Sequence, residues 1–475
     1  MKSITKGKMW CYAIGQLGWA IISGLIGSWL VYFYQPNQEA IADGMVPLVP
    51  QGRVFLGLLT IIGLVTATGR IFDAITDPLV GSLSDKCKHK KGRRIPFLLY
   101  SSVPLGIIFV LVFCAPVNGV SAWNVVWLFV TVLAYYFIFT CYCTPYTSLL
   151  AELAHNQDEK LKLSMCISLT FIVGTALGYS APFLWGIFIS HGMARIPAMR
   201  LTFSILALIA TVLMLVPAFT INEKDYCEAK PSDTPMFSSF AKTFKNKDFG
   251  FFISQDIIYW LGLTMFQTGL PFFVTSLLKL GEQWTSIMFI GLTALSLCFY
   301  PFVTMMARKL GKKKLLIIAF FGFMLTFLFT AFAGMMPIPV AVQAVIIVVL
   351  GAFPNSLFGI LPNAIIADIA QSDQVKTGES RSGMFYAART FAMKMGQSVG
   401  MLLFTSLATI KLAPKGSVES VVGDAVEGAV NIAEGTSSVG YRIIAIVASV
   451  CCLIGGILMT FFNEKRVLKG IEEGK

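Results

Sequence analysis

The sequence predicts an all-α polytopic membrane protein, and two observations lead to this fold class. Of the 475 residues, 56% are apolar and only 13% are charged, whereas soluble domains carry about a quarter charged residues. The apolar residues also form runs far longer than the roughly 10 residues of a membrane barrel strand. A helix needs about 20 apolar residues to cross a bilayer, and the chain contains many runs of this length.

By length and flanking charge, we predict about twelve membrane helices. They cover residues 9–33, 54–84, 95–117, 123–154, 162–190, 200–222, 249–278, 284–306, 314–336, 338–369, 382–411 and 437–463. Most of the 37 lysine and arginine residues lie in alternate connections between them, such as Lys86–Arg94 and Arg308–Lys314. Cytoplasmic loops carry this excess of positive charge. Both termini are therefore expected on the cytoplasmic side of the plasma membrane, which in a bacterium is the inner membrane.

The net charge of +12 follows from this topology, so no nucleic-acid partner is expected. No nucleophile–base set, metal cluster or phosphate loop is visible, which argues against an enzyme, and no sizeable soluble domain suggests a sensor. The three histidines lie outside the predicted membrane interior, so a histidine-ligated metal is not expected. We predict no cofactor, and a monomer whose partners are the bilayer, a small solute and a coupling ion.

The longest polar connection between spans, residues 223–248, separates six predicted helices from six. We therefore predict an N-terminal bundle of residues 1–222, a cytoplasmic linker of residues 223–248 and a C-terminal bundle of residues 249–475. The second span of each half is followed by a basic turn, at Gly81–Arg94 and at Ala307–Lys314. Corresponding features in two parallel halves indicate an internal duplication, as transporters often have.

Two carboxylates, Asp73 and Asp77, lie inside the second predicted span. Their spacing places them on one helix face together with Arg70. Helix rise places Asp77 roughly 13 Å and Asp73 roughly 20 Å from the basic edge at Lys86, near the middle of a hydrocarbon core about 30 Å thick. Two acids one turn apart repel unless a positive charge lies between them, so we predict a cation site. The alternative is a charge network with Arg70 and Lys394 that fixes helix packing.

The stretch Arg70–Gly81, followed by Lys91–Phe97, resembles the glycoside–pentoside–hexuronide:cation symporters of the major facilitator superfamily. The resemblance continues at Pro145–Leu149, Ile366–Asp368 and Met384–Lys394, so it covers nearly the whole chain. It implies the major facilitator fold, with twelve helices in two six-helix bundles that work by alternating access. It also implies uptake of a sugar, glycoside or uronide with Na⁺ or H⁺. The alternative on the same fold is a carrier of a lysolipid or another amphipathic solute.

The resemblance implies a cation site at Asp73, Asp77 and Thr140. A third carboxylate of the family is replaced by Cys143, which makes proton coupling more plausible than it is in relatives with that acid. Other acidic and basic sugar ligands of the family are also replaced, at Ala20 beside Trp19 and at Ser168. Galactoside recognition is therefore not expected, and another sugar or a different solute is left open.

The candidate substrate-binding residues are Trp19, Arg70, Cys143, Thr144, Tyr146, Thr390 and Lys394. Trp19 is either a stacking platform for a sugar ring or a packing residue. Thr144 belongs to a helical stripe of hydroxyls that either face the site or bond to their own helix backbone. Lys394 lies one turn after Thr390, and we expect it to pair with Asp73, either permanently or in exchange with the cation.

The candidate gating residues are Asp85, Arg93 and Arg94, which flank the first basic turn. Opposite charges here are expected to form a cytoplasmic latch that keeps the inward side closed. The alternative is that the arginines serve only to orient the chain in the membrane.

Overall fold

The computed structural model describes residues 4–52, 59–153, 157–226, 243–244, 246–377, 382–410 and 438–472. Regular structure in these residues is helical, and no β-strand occurs in them. The prediction of an all-α protein is confirmed.

The first half of the chain contains eight α-helices within the described residues. They are α1 (Lys6–Tyr34), α2 (Gln38–Ala42), α3 (Ile61–Lys86), α4 (Ile95–Phe113), α5 (Ala122–Leu153), α6 (Gln157–Tyr179), α7 (Ala181–Ser190) and α8 (Arg195–Thr220).

The described part of the second half contains seven more. They are α9 (Lys247–Phe272), α10 (Gln283–Leu310), α11 (Lys312–Ala331), α12 (Val340–Thr377), α13 (Ser382–Leu407), α14 (Ser438–Phe461) and α15 (Glu464–Glu472). A single π-helical turn, Phe273–Leu277, extends α9.

Ten helical segments among the described residues are long and apolar enough to cross a membrane, and α6 and α7 share one of them. The remaining two long helices are α3 and α13, each of 26 residues. Both carry charges within their length, Asp73 and Asp77 in α3 and Arg389 and Lys394 in α13. Charge at membrane depth is costly and usually serves a function, so these two helices are the candidates for carrying a functional site.

Helix α3 begins at Ile61, later than the predicted start of the second span at residue 54. The side chain of Thr60 accepts a hydrogen bond of 3.2 Å from the backbone N–H of Gly63, and this cap sets the helix start. Residues 53–58 lie outside the described part of the chain. In the sequence the apolar run begins at Val54, before the Thr60 cap, which is why hydropathy alone placed the start earlier than the cap does.

The described helices form two compact units, one containing α1–α8 and the other α9–α15. The division falls between residues 233 and 234, inside the predicted linker. The proposed limits of the two bundles stay a prediction, since residues 227–242 are outside the described residues.

Close packing in the first unit depends on glycines. A Cβ atom on Gly174 would lie 2.6 Å from the backbone oxygen of Leu17, and one on Gly178 would lie 2.9 Å from that of Ile21. Only glycine at these positions of α6 lets its backbone approach α1 so closely, as is common between membrane helices.

Just after α8, the carboxylate of Glu223 caps the N-terminus of α4. It accepts hydrogen bonds from the backbone N–H groups of Arg93 (3.0 Å), Arg94 (2.8 Å) and Ile95 (3.2 Å). The preceding Gly92 has a φ of +116°, and a Cβ there would lie 2.3 Å from a Glu223 oxygen. Glycine is thus required by both its backbone conformation and the closeness of the carboxylate.

The second unit repeats this arrangement. Glu464, after α14, accepts hydrogen bonds from the backbone N–H groups of Lys312 (2.8 Å) and Lys313 (3.0 Å) at the start of α11. Gly311 precedes them with a φ of +84°, and its Cβ would lie 3.0 Å from Glu464. Two matching caps at corresponding helices support the internal duplication inferred from the basic turns.

Candidate cation and substrate site

The site in the first unit is built by the parallel packing of α3 and α5. Two hydrogen-bonded pairs across these helices, Asp73–Thr140 and Asp77–Thr144, both join residues 67 positions apart. A constant separation means that the helices run in the same direction and in register. One turn before Asp73, a Cβ on Gly69 would lie 2.6 Å from the ring of Tyr136, so this glycine permits the close approach.

Two carboxylates and three hydroxyls converge here. The Thr140 hydroxyl donates to Asp73 Oδ1 over 2.5 Å, and the Thr144 hydroxyl donates to Asp77 Oδ1 over 3.0 Å. The Thr76 hydroxyl donates to the backbone oxygen of Asp73 over 3.1 Å and lies 3.4 Å from the side-chain hydroxyl of Thr140. Asp73 is only 1% exposed, while Asp77 and Thr144 are half-buried.

This arrangement suits a small hard cation or a proton, because all of the side-chain atoms that could ligate a cation here are oxygens. Burying an ionised carboxylate is costly unless a positive charge accompanies it. One such charge is Arg70, which is half-buried one turn before Asp73. Its guanidinium carbon lies 5.2 Å from the centroid of the Tyr136 ring, within the range of a cation–π contact.

Tyr146, predicted to bind substrate, is buried between α5 and α1. Its hydroxyl donates to the backbone oxygen of Tyr12 over 2.6 Å, and the Tyr12 hydroxyl donates in turn to the backbone oxygen of Tyr146. The two rings stack with centroids 4.3 Å apart. The described contacts of Tyr146 therefore join two helices, and a substrate role for it stays a prediction.

Trp19 lies half-buried on α1 against two other aromatic rings. Its ring centroid is 5.7 Å from that of Phe139 and 5.6 Å from that of Phe171. The indole N–H is buried and has no hydrogen-bond partner among the described residues. Trp19 thus combines packing with an unused donor, and both of the roles considered for it stay open.

Cys143 is half-buried on α5, in the turn between Thr140 and Thr144.

The candidates Thr390 and Lys394 lie on α13 in the second unit. Thr390 is exposed and donates to the backbone oxygen of Tyr386 over 3.0 Å, whereas Lys394 is buried. Asp73 belongs to the other unit, so the expected pairing of Lys394 with Asp73 stays a prediction.

The gating candidates Arg93 and Arg94 make contacts within the first unit. Arg93 Nε lies 3.9 Å from Glu223 Oε1, and the buried Arg94 donates from Nη1 to the Ser84 hydroxyl over 3.2 Å. The side chain of Asp85 lies outside the described part of the structure. Sequence reasoning missed Glu223, and the available signal was an acid directly after the sixth span.

A second charged group, whose pairing the sequence did not predict, lies in the second unit. Arg389 on α13 donates from Nε and Nη2 to Asp256 on α9, at 2.9 Å and 3.3 Å, and from Nη1 to Asn363 on α12 at 2.6 Å. An acid and a base inside two apolar spans were the signals that could have paired them.

A bundle of apolar helices that holds carboxylates at membrane depth is typical of a polytopic membrane transporter. The family described as MFS/sugar transport protein matches residues 11–466. The chain belongs to this family, so it is a multi-pass transporter and not an enzyme. The resemblance to the glycoside–pentoside–hexuronide:cation symporters is confirmed.

The similarity to individual relatives is low in identity but extends over most of the chain. The chain is 23% identical to the inner membrane symporter YicJ of Escherichia coli, over 98% of this chain and 94% of that protein. It is also 23% identical to the isoprimeverose transporter of Lactiplantibacillus pentosus, over 82% of this chain and 77% of that one.

Solved structures with the same fold include a D-xylose–proton symporter, with a TM-score of 0.62, 16% identity and 98% of both chains covered. A bacterial homologue of the human lysosomal transporter Spinster, in an inward-facing conformation, has a TM-score of 0.66 and 13% identity, covering 98% of this chain and 99% of that one. The predicted major facilitator fold is confirmed.

Proposed function

We propose that this protein is a cation-coupled symporter that imports a sugar, glycoside or uronide by alternating access. The observation that carries the proposal is the pair of carboxylate–hydroxyl contacts, Asp73–Thr140 and Asp77–Thr144, in two parallel membrane helices. The protein acts as a monomer in the plasma membrane, the inner membrane of a bacterium, with both termini in the cytoplasm.

The names of several relatives support a carbohydrate substrate. They include the isoprimeverose transporter and a glucuronide carrier protein homologue of Escherichia coli, 22% identical over 70% of this chain. The proposed substrate-binding residues remain Trp19, Arg70, Cys143, Thr144, Tyr146, Thr390 and Lys394, and the proposed gate remains Asp85, Arg93 and Arg94.

Coupling follows from the cost of burying charge. Asp73, Asp77 and Thr140 bind Na⁺ or H⁺, which neutralises carboxylates that are otherwise costly in a medium of low dielectric constant. The helices then complete the transport step only with the cation in place, because moving an uncompensated charge through that medium is unfavourable. A substrate that favours the cation-bound state is consequently carried along with the ion.

The test is counterflow and uptake in proteoliposomes with a panel of sugars and uronides, with and without a Na⁺ or pH gradient. We expect at least one carbohydrate to accumulate when one of the two gradients is applied. Asp73→Asn should abolish the accumulation and retain exchange. Accumulation that depends on neither gradient, or that survives in this variant, would refute cation coupling at the site.

The second candidate is a carrier of an amphipathic solute. It is favoured by 30% identity over 113 residues, 23% of this chain, to the sodium-dependent lysophosphatidylcholine symporter 1 of Xenopus tropicalis. Uptake of lysophosphatidylcholine by the same proteoliposomes, with no carbohydrate transported, would replace the first proposal by this one.

A further inference from the structure

Polar side chains are exposed within two long helices of the second unit, away from the helix ends. Asn363 on α12 and Tyr386 and Thr390 on α13 are exposed, and the side chain of Arg389 keeps 14% of its surface accessible. Arg389 lies about 10 Å from the start of its helix, by the rise per residue. Amide and guanidinium groups at this depth face water or protein rather than acyl chains, so this surface borders a water-filled space.

Arg389 is held rigidly on this surface from behind. Its partner Asp256 is fully buried, with 0% of its side chain exposed, and accepts from Nε and Nη2. Asn363 accepts from Nη1. A bidentate carboxylate contact fixes the plane of a guanidinium group. Three of the five N–H donors are used in this way, and one N–H on each terminal nitrogen has no partner among the described residues.

An unused acceptor lies further along the same helix. Gln397 is seven residues after Thr390, on the same face of α13. Its side-chain oxygen is buried and has no hydrogen-bond partner in the described part of the chain. Buried polar atoms are nearly always paired in a native protein, so unused donors at Arg389 and an unused acceptor at Gln397 indicate a ligand that offers both kinds of group.

We propose that Arg389, positioned by Asp256 and Asn363, is a substrate-binding residue of the second unit and that it donates to hydroxyl oxygens of an uncharged sugar unit. Asp256 already neutralises the guanidinium, so a second carboxylate would add an unbalanced negative charge. The group therefore favours neutral glycosides over uronides. This inference rests on the proposed carbohydrate transport and narrows its substrate class.

The experiment is counterflow with the full chain in proteoliposomes, using methyl β-xyloside, methyl α-glucoside and glucuronate as probes. In the wild type we expect a neutral glycoside to be preferred. Arg389→Lys keeps the charge but loses the planar donors, and should raise the KM of that glycoside about tenfold. The matched control is Arg466→Lys, which alters another Arg–Asp pair of the same unit, Arg466 Nε–Asp248 Oδ1 at 3.1 Å, and should leave KM unchanged.

Asp256→Asn tests the inference through the ratio of two substrate affinities, which should stay constant if the Arg389–Asp256 pair is only structural. It leaves the positive charge of Arg389 unbalanced, so the ratio of glucuronate to glycoside affinity should rise at least fivefold. The double variant Arg389→Gln/Asp256→Asn contains no unpaired charge and guards against loss of folding; it too should bind the glycoside weakly.

The outcomes distinguish failure of the proposed function from failure of the role of Arg389. A wild type that transports no carbohydrate overturns the proposed function and this inference together. A wild type that transports a glycoside, with KM and the affinity ratio unchanged in folded variants, overturns the role of Arg389 alone.

Discussion

The cap formed by Glu223 leads to a quantitative prediction about stability. Glu223 is 2% exposed and accepts three backbone N–H groups of residues 93–95. Replacement by alanine leaves these three N–H donors without their acceptor. Each lost hydrogen bond costs about 1–1.5 kcal/mol, because water can replace the carboxylate only in part. We therefore expect Glu223→Ala to lower the free energy of unfolding of the first unit by about 3–5 kcal/mol.

Glu464 provides the matched comparison in the same chain. It is half-buried and accepts only two N–H groups, so Glu464→Ala should cost about 1–3 kcal/mol. Glu223→Gln keeps one acceptor oxygen but loses the charge, which interacts favourably with a helix N-terminus. Its effect should fall between those of the wild type and Glu223→Ala.

The measurement is amide hydrogen exchange of the purified full chain, followed at residues 93–95 and 312–313. Local opening is read directly in this way, without requiring reversible unfolding of a large protein. We expect Glu223→Ala to accelerate exchange at residues 93–95 by at least a hundredfold and to leave residues 312–313 unchanged, with the reverse for Glu464→Ala. Unaltered exchange at residues 93–95 would refute the cap as a stabilising contact.

Three further predictions concern the proposed site and gate. Thr144→Val should weaken cation affinity about tenfold, measured as the cation dependence of uptake, because it removes the hydroxyl that bonds to Asp77, an interaction worth about 1.4 kcal/mol. Thr144→Ser keeps a hydroxyl and should retain the affinity, so equal losses in both variants would contradict this prediction. Cys143→Asp should strengthen Na⁺ dependence if the site binds Na⁺, and slow turnover if it binds protons; no change in Na⁺ or pH dependence would place Cys143 outside the site. Arg94→Ala removes the bond to Ser84 and should increase thiol labelling of the nearby Cys87 several-fold, whereas unchanged labelling would argue against a latch.

The fold class and most of the spans were predictable from local sequence. In lipid, every backbone polar group needs an internal partner, so a long apolar run has to be a helix. The two charged helices α3 and α13 were recognised in the same way. The start of α3 was predicted too early, because the sequence is already apolar before Thr60, the residue that caps the helix.

The importance of Asp73 and Asp77 was also a local signal, since carboxylates in an apolar run stand out. Their hydroxyl partners were not fully predictable. Thr144 was assigned to the substrate, yet the register of α3 against α5 pairs it with Asp77. That register depends on how closely two helices approach at Gly69, which sequence spacing along one helix does not reveal.

The charged contacts beyond this site were decided by tertiary structure. Glu223 meets the start of α4 about 130 residues away in sequence, and Asp256 meets Arg389 at a separation of 133. An apolar run specifies that a helix crosses the membrane, because burial depends on the average character of about twenty residues. Which two helices meet, and at which turn, depends on packing among all the helices of a unit, and a single hydrogen bond is set only at that stage.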